Sequence, residues 1–502
     1  MNVPKDFFEK AFSVCKDYLY GVWKYIPKEE FLIKPINGGL TNYIYLCELP
    51  PRYELMRREN EPKRVLLRFY GIGKLSLNEG SSPVLNHLSE NLLCAILAER
   101  KLGPKLYGVF NGGRIEEYIP ARCLFRKELF DPTISCKIAE KLAKIHALNT
   151  LPFSKDPNKI FDKMFKWLQI FMKNLNNPKS PTHKNSENAS KYDWTIDACL
   201  DKEIEYCRIL SKNSDSPIVF CHFDLQEGNI LIHRHQHSMV KAIKSTKHSE
   251  SNFNSYSNNS NTDVEIKLDF IDYEYSAYTY RGFDIANHFC EWTMDYTFKE
   301  YPYFSLHSDN FPTKDQQRLF LEVYLRSYHE AVRYNKTRRN KHVYAASVNK
   351  NNFNSLISSP RMNPVSKDHY NNVPVSKDHY NNVPNKTPSE DDLFQDRYQN
   401  GYNLFNFDDL EKEVNGITKD ENLGTINGSI KKEDNEVEIN EMLEEVDIFI
   451  LLSHLFWTFW SLVQAGNSKI RFGFEEYAEV RFKEYLRVKD EFQKKKNKIN
   501  AK

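Results

Sequence analysis

Two short stretches carry residue types that could hold a metal-bound phosphate beside a reacting hydroxyl. The first is Cys221-His222-Phe223-Asp224-Leu225-Gln226-Glu227-Gly228-Asn229-Ile230-Leu231, in which Asn229 follows Asp224 by five positions and opens the apolar run Ile230-Leu231-Ile232. The second is Leu268-Asp269-Phe270-Ile271-Asp272-Tyr273-Glu274, where Asp272 ends another apolar run. Phosphoryl transfer asks for a carboxylate facing the acceptor hydroxyl, plus an amide oxygen and a second carboxylate on the nucleotide's magnesium. Asp224, Asn229 and Asp272 supply that set. A lone aspartate is more often a turn residue or a helix cap. The spaced asparagine, the strand after it and the second strand ending in aspartate set this constellation apart.

Those residues must be brought together by a strand pair. Residues 235–264 are rich in Ser, Asn, His and Lys, a loop composition, so a long polar insertion at a hairpin tip leaves the two strand ends adjacent. Upstream, Ile36-Asn37-Gly38-Gly39-Leu40-Thr41-Asn42 reads as a glycine turn before an alternating strand, either an ordinary hairpin turn or a place where backbone amides approach a polyphosphate. Arg64–Gly71 reads as a strand with Arg68 near its end, Glu90–Arg100 as a helix, and Leu106–Phe110 with Arg114–Ile119 as a hairpin around Asn111-Gly112-Gly113. From Ser135 onward the pattern turns helical. The expected fold class is α+β, with a small β-rich lobe over 1–119 and a large, mainly helical lobe over 120–502, joined near Glu116–Pro120.

The bulk properties bound the remaining options. A chain of 502 residues forms two or more lobes, and a net charge of +2 gives no pull toward nucleic acid. Nine cysteines without Cys-x-x-Cys spacing fit a reduced cytoplasmic protein, and Met1–Phe7 lacks the apolar run of a signal peptide. Ile448–Ala465 approaches the length of a membrane span, yet Ser453, His454, Thr458, Ser461 and Gln464 interrupt it, so a buried helix without stable membrane insertion is expected. Residues 340–440 contain a tandem decapeptide, Pro364–Val373 and Pro374–Val383, within Asn- and Ser-rich and then acidic sequence, which reads as a disordered insertion.

Residues 271–296, Ile-Asp-Tyr-Glu-Tyr-Ser-Ala-Tyr-Thr-Tyr-Arg-Gly-Phe-Asp-Ile-Ala-Asn-His-Phe-Cys-Glu-Trp-Thr-Met-Asp-Tyr, resemble the signature of the choline/ethanolamine kinase family. Ala95–Gly108, Tyr301–Phe304 and His454–Ala465 extend the resemblance over nearly the whole chain outside the two insertions. It implies a protein-kinase-like two-lobed fold, ATP and Mg2+ as cofactors, and a cytosolic enzyme phosphorylating choline or ethanolamine. Members are often dimers, so a homodimer is a further implication that the residues themselves leave open. For choline, the product would be phosphocholine, the entry to the CDP-choline route.

Carried over by position, the resemblance makes Asp224 the general base, Asn229 and Asp272 the magnesium ligands, and Glu274 a third metal-side residue. Gln226, Arg68, the loop Gly38, Gly39, Leu40, Thr41 and Asn42, and the connector Glu117, Tyr118 and Ile119 match nucleotide-binding positions, with Glu90 as the expected ion-pair partner of Arg68. Glu291, Tyr296, Trp457, Trp460 and Tyr477 match the choline box. A quaternary ammonium has no hydrogen to donate, so aromatic faces and a nearby carboxylate are what can select it. Trp457 and Trp460 lie three apart and share a helix face, which also suits plain core packing. Phe289-Cys290-Glu291-Trp292 resembles choline-type members. Three positions depart from the family pattern: Phe223 replaces an expected Asn, Glu117 a Gln and Cys123 a basic residue. A related antibiotic or protein kinase and a scaffold acting through the repeat insertion are the competing readings, and no loss of a metal ligand favours the scaffold.

Overall fold

The computed structural model describes residues 3–36, 42–70, 83–149, 151, 153–177, 180, 182, 192–233, 266–357, 432–468 and 470–500. Gly38 to Thr41, the polar insertion at 235–264 and the tandem decapeptide lie outside them. The chain divides into one unit of Met1–Asn340 with Glu433–Lys502 and a second of Lys341–Lys432. The first carries every residue of interest that is described.

Alternation builds the first sheet. Strands β1 (Leu32–Ile36), β2 (Asn42–Glu48), β3 (Arg64–Tyr70), β4 (Leu106–Phe110) and β5 (Gly113–Glu117) pair antiparallel in the order β1-β2-β3-β5-β4. The hairpin expected at Arg114–Ile119 therefore starts a residue earlier and ends at Glu117. Along β3, Val65, Leu67 and Phe69 are buried in a cluster with Ala11, Val14 and Cys15 of helix α1 (Lys5–Tyr18). A period of two sends Arg68 to the opposite face. There β3 meets β5 with Arg68 directly across from Arg114. Helix α2 (Pro83–Glu99), longer than Glu90–Arg100, sets Leu93 and Leu97 into a second, larger cluster that runs from residue 93 to residue 485.

That larger cluster is mainly helical. Strands β7 (Ile218–Cys221), β8 (Ile230–Ile232), β9 (Leu268–Phe270) and β10 (Ala277–Tyr280) form two small sheets in it, β7 with β10, and β8 with β9 and the short β6 (Arg122–Cys123). The apolar run around Ile448–Ala465 belongs to a helix, Lys432–Asn467, and 89% of its most apolar window is buried inside the protein. Its length is that of a membrane span and its surroundings are those of a core helix. A Cβ on Gly282 would collide with the Phe449 ring, so glycine is what lets the helix Arg281–Glu291 approach this long helix. The Lys314–Ile357 helix extends beyond residue 340, where the disordered insertion was expected to begin. The protein has a protein-kinase-like two-lobed α+β fold.

Candidate active site

The register of β8 with β9 pairs Ile230 with Phe270, so Asn229 and Asp272 leave the same end of the hairpin. A bond from Ile271 N to Asn229 O (3.0 Å) carries the pairing one step further. The Asn229 amide donates to the Asp224 backbone oxygen (2.8 Å) and to Asp224 Oδ2 (2.9 Å), which leaves its own side-chain oxygen as the atom for a hard cation. Phe223 (φ +72°) and Asp272 (φ +65°) both have left-handed backbone. Such non-glycine residues cost on the order of 1–3 kcal/mol each and persist only where the surroundings hold them.

At Phe223 the surroundings are visible. Asp284 Oδ1 accepts from Phe223 N (2.7 Å), Asp284 Oδ2 from His222 N (2.7 Å), and Asn287 Nδ2 donates to Phe223 O (2.8 Å). His288 Nδ1 donates to Leu225 O (2.9 Å). Asp284, Asn287, His288 and Glu291 fall at i, i+3, i+4 and i+7 of the Arg281–Glu291 helix, one polar stripe on a helix buried all round. Asp284 is fully buried; burial alone would raise its carboxyl, but bonds from His146 and from the loop backbone hold it below the ordinary aspartate range. Where Asn would accept the left-handed backbone more readily, Phe223 is held by these bonds and by its ring, packed against Phe283 (4.7 Å) and Phe456 (5.7 Å).

Arg68 reaches the same loop from the small lobe. Its Nη1 donates to Asp272 Oδ1 (3.3 Å) and its Nε to Glu116 Oε2 (3.4 Å). Two arginines facing each other across an antiparallel pair repel, and Glu116, which also bonds Arg114, lies between them. Burial works against ionising Glu116, but Arg114 and Arg68 hold its carboxyl down at about 2. Glu90 corrects the expectation from the sequence: its carboxylate bonds Arg114 (2.6 Å), because Arg114 stands nearer α2, while Glu116 and Asp272 engage Arg68. Asn42 Nδ2 lies 3.5 Å from Glu274 Oε2, Gln226 Oε1 caps Gly228 N, and Glu117 Oε2 accepts from Lys105 N. Tyr118 stacks under Arg64.

The aromatic positions also meet. Trp457 and Trp460 cross edge to face at 5.3 Å, and Tyr275 lies 5.7 Å from Trp457. Trp457 Nε1 donates to Asn287 Oδ1 (2.7 Å) and Trp460 Nε1 to Tyr275 Oη (3.0 Å). Tyr296 Oη donates to Glu291 Oε2 (2.8 Å) and lies 3.0 Å from Tyr477 Oη. The fully buried Arg481 bonds Glu291 Oε1 and Tyr477 Oη. Burial pushes the Asp224 carboxyl well above the ordinary range, with the charges of Glu291, Asp272 and Glu274 adding to it and the Asn229 bond opposing.

The described residues thus group Asp224, Asn229, Asp272, Arg68 and Glu274 on one side, and Glu291, Tyr296, Trp457, Trp460 and Tyr477 on the other. Tyr275, Asp284, Asn287, His288, Glu116 and Arg481 were missed from sequence. The polar i, i+3, i+4, i+7 stripe in an apolar helix was the available signal for three of them, and the i, i+4 spacing of Tyr477 and Arg481 for a fourth. The choline/ethanolamine kinase family profile matches residues 33–486. A choline/ethanolamine kinase of Rattus norvegicus is 30% identical over 488 residues, 97% of this chain and 88% of the relative. Choline kinase alpha of Mus musculus is 32% identical over 489 residues, 95% and 80% of the two chains. The crystal structure of a choline kinase from Cryptosporidium parvum superposes with a TM-score of 0.56 at 21% identity, covering 97% of this chain and 96% of that one, a likeness of fold. The chain therefore belongs to the choline/ethanolamine kinase family.

Proposed function

We propose that this enzyme transfers the γ-phosphoryl group of ATP to the hydroxyl of choline, giving phosphocholine, with Asp224 as the general base. The observation that carries this reading is the position of Asp224 between two sets of groups. Its carboxylate bonds Asn229, at the strand end shared with Asp272, and the carbonyl of the preceding Phe223 accepts from Asn287, whose own oxygen accepts from Trp457. A base there reaches an alcohol whose cationic end sits in the enclosure and whose oxygen faces the phosphate. Asp224 accepts the hydroxyl proton as the oxygen attacks the γ-phosphorus and the bond from that phosphorus to the leaving ADP breaks, and the Asn229 amide holds the carboxylate in place. Base catalysis of this kind contributes about 10²–10⁴-fold, so positioning and electrostatics supply the remainder.

The donor set fits a divalent cation. Asp272, Glu274 and the Asn229 side-chain oxygen are hard oxygen ligands, and four carboxylates here (Asp224, Asp272, Glu274, Glu291) face two guanidiniums, Arg68 and Arg481. Bound magnesium would neutralise charge on the nucleotide phosphates. Arg68, always protonated, lends its guanidinium to the same charge. Asn42, Gln226 and the connector Glu117, Tyr118 and Ile119 are the described residues proposed for the nucleotide, with Gly38 to Thr41 completing that set.

Trp457 and Trp460 are buried and cross edge to face, and the buried Tyr477 shares Arg481 with Glu291, a grouping that supports a cationic amine with an apolar coat. Ethanolamine is the second reading, favoured by the carboxylate, which serves any ammonium. Nine free thiols support a cytoplasmic setting. A coupled ATP-consumption assay with choline, ethanolamine and serine tests the proposal: turnover with choline above both others is expected, and consumption that no amino alcohol stimulates overturns it.

A further inference from the structure

Arg481 enters the reading above only as a charge, yet it is fully buried beside the aromatic side chains. A guanidinium only donates. Its Nη2 donates to Glu291 Oε1, and its Nη2 and Nε reach the Tyr477 oxygen at 2.7 and 3.0 Å. With that oxygen accepting, the Tyr477 proton runs to Tyr296 Oη, 3.0 Å away, and the Tyr296 proton goes to Glu291 Oε2 at 2.8 Å. Arg481, Tyr477, Tyr296 and Glu291 therefore close a ring of hydrogen bonds. Each hydroxyl proton in it has a partner, and so does each oxygen of the Glu291 carboxylate.

The indole N–H groups are engaged as well, Trp457 with Asn287 and Trp460 with Tyr275. Around the amine position, the described aromatic residues offer a ligand ring faces, and the Glu291 carboxylate beside them already takes one donor on each oxygen. A primary ammonium must exchange its water hydrogen bonds for new acceptors, or leave buried donors unmatched. A quaternary ammonium carries no N–H and loses nothing on that account. We propose that Arg481 is a positioning residue that sets the amine preference, holding Glu291 Oε1 and the Tyr477 hydroxyl in a ring that Tyr296 closes on Glu291 Oε2, so that the site favours a quaternary over a primary ammonium. The inference rests on the reading of this enclosure as the amine site.

The test compares kcat/KM for choline and ethanolamine in the full-length wild type, R481Q and R481K, with ATP KM and thermal melting measured alongside. R481Q frees acceptors on Glu291 and Tyr477. R481K keeps the charge but has a single head that cannot span both, and it stands in if R481Q fails to fold. The ethanolamine-to-choline ratio of kcat/KM is expected to rise about tenfold or more in R481Q, the size of one hydrogen bond to a charged group, and by less in R481K, with ATP KM unchanged. A purely structural role would lower both amines together. A ratio that stays within about twofold of wild type in the folded variants, while both amine KM values rise, overturns the proposal and leaves the site standing. Amine KM values untouched in R481Q and in W457A, with ATP KM altered, would instead overturn the assignment of the enclosure itself.

Discussion

Two buried arginine networks flank Asp224, and they are built differently. In the small lobe, Arg68 and Arg114 share Glu116, with Glu90 at one end and Asp272, from the other lobe, at the far end. In the large lobe, one arginine meets one carboxylate, Arg481 with Glu291, and two phenols seal the pair. The first is an open chain of charges whose end, the Arg68 contact with Asp272, can be redirected to an incoming anion. The second is closed and neutral in itself, so an arriving cation is received mainly by ring faces. The nucleotide side can lend charge. The amine side excludes hydrogen-bonding competitors.

The comparison breaks most readily at the residue between the two networks. Asp224→Ala should lower kcat by about 10²–10⁴-fold with both KM values within a few fold. A change confined to one substrate's KM would move Asp224 into that substrate's region. Next in size, Glu116→Ala leaves two buried guanidiniums short of a partner and should cost about 3–5 kcal/mol in urea unfolding. That should exceed the cost of Glu291→Ala, after which Arg481 keeps its Tyr477 bonds; the reverse order would remove the distinction between open and closed networks.

A smaller effect comes from His288, which anchors the base loop without charge. Its Nδ1 donates to Leu225 O, while its Nε2 faces the Trp292 N–H at 3.4 Å, so the neutral ring fits and a protonated one does not. Burial depresses it from 6.5 to about 4. A depressed folded-state value means the unfolded chain binds the proton first, so stability is full above 6.5 and is lost as pH falls toward 4, by about 3 kcal/mol at most. In His288→Asn, whose amide can still reach Leu225 O, the unfolding free-energy difference from wild type should shrink across that window; a constant difference counts against the neutral anchor. Smallest, Trp457→Ala should raise the choline KM about 2- to 30-fold, the range of one cation–π contact, and move the ATP KM less than twofold. Equal shifts would mean the indole only packs the core.

Local pattern made much of this legible. Period-two alternation placed Arg68 on the face opposite Val65 and Leu67, and the apolar runs before Asp272 and after Asn229 marked the strand pair whose register brings them to one end. Helical spacing put Trp457 beside Trp460. The partner of Arg68 was not legible, because Glu90 lies on α2 and Glu116 on a neighbouring strand, and only the packing of helix on sheet decides which guanidinium each carboxylate meets. Arg481 was passed over for the same reason, being one cation among many on a long charged helix until its burial is seen.

The order of residues along this chain determined its elements and the types of group at each end of them, since alternation and helical period follow from backbone geometry alone. Only the tertiary structure decided which charges neutralise one another and which stay available to a ligand. That depends on distance and on exclusion of water between segments as remote as Glu291 and Arg481, which no local pattern encodes.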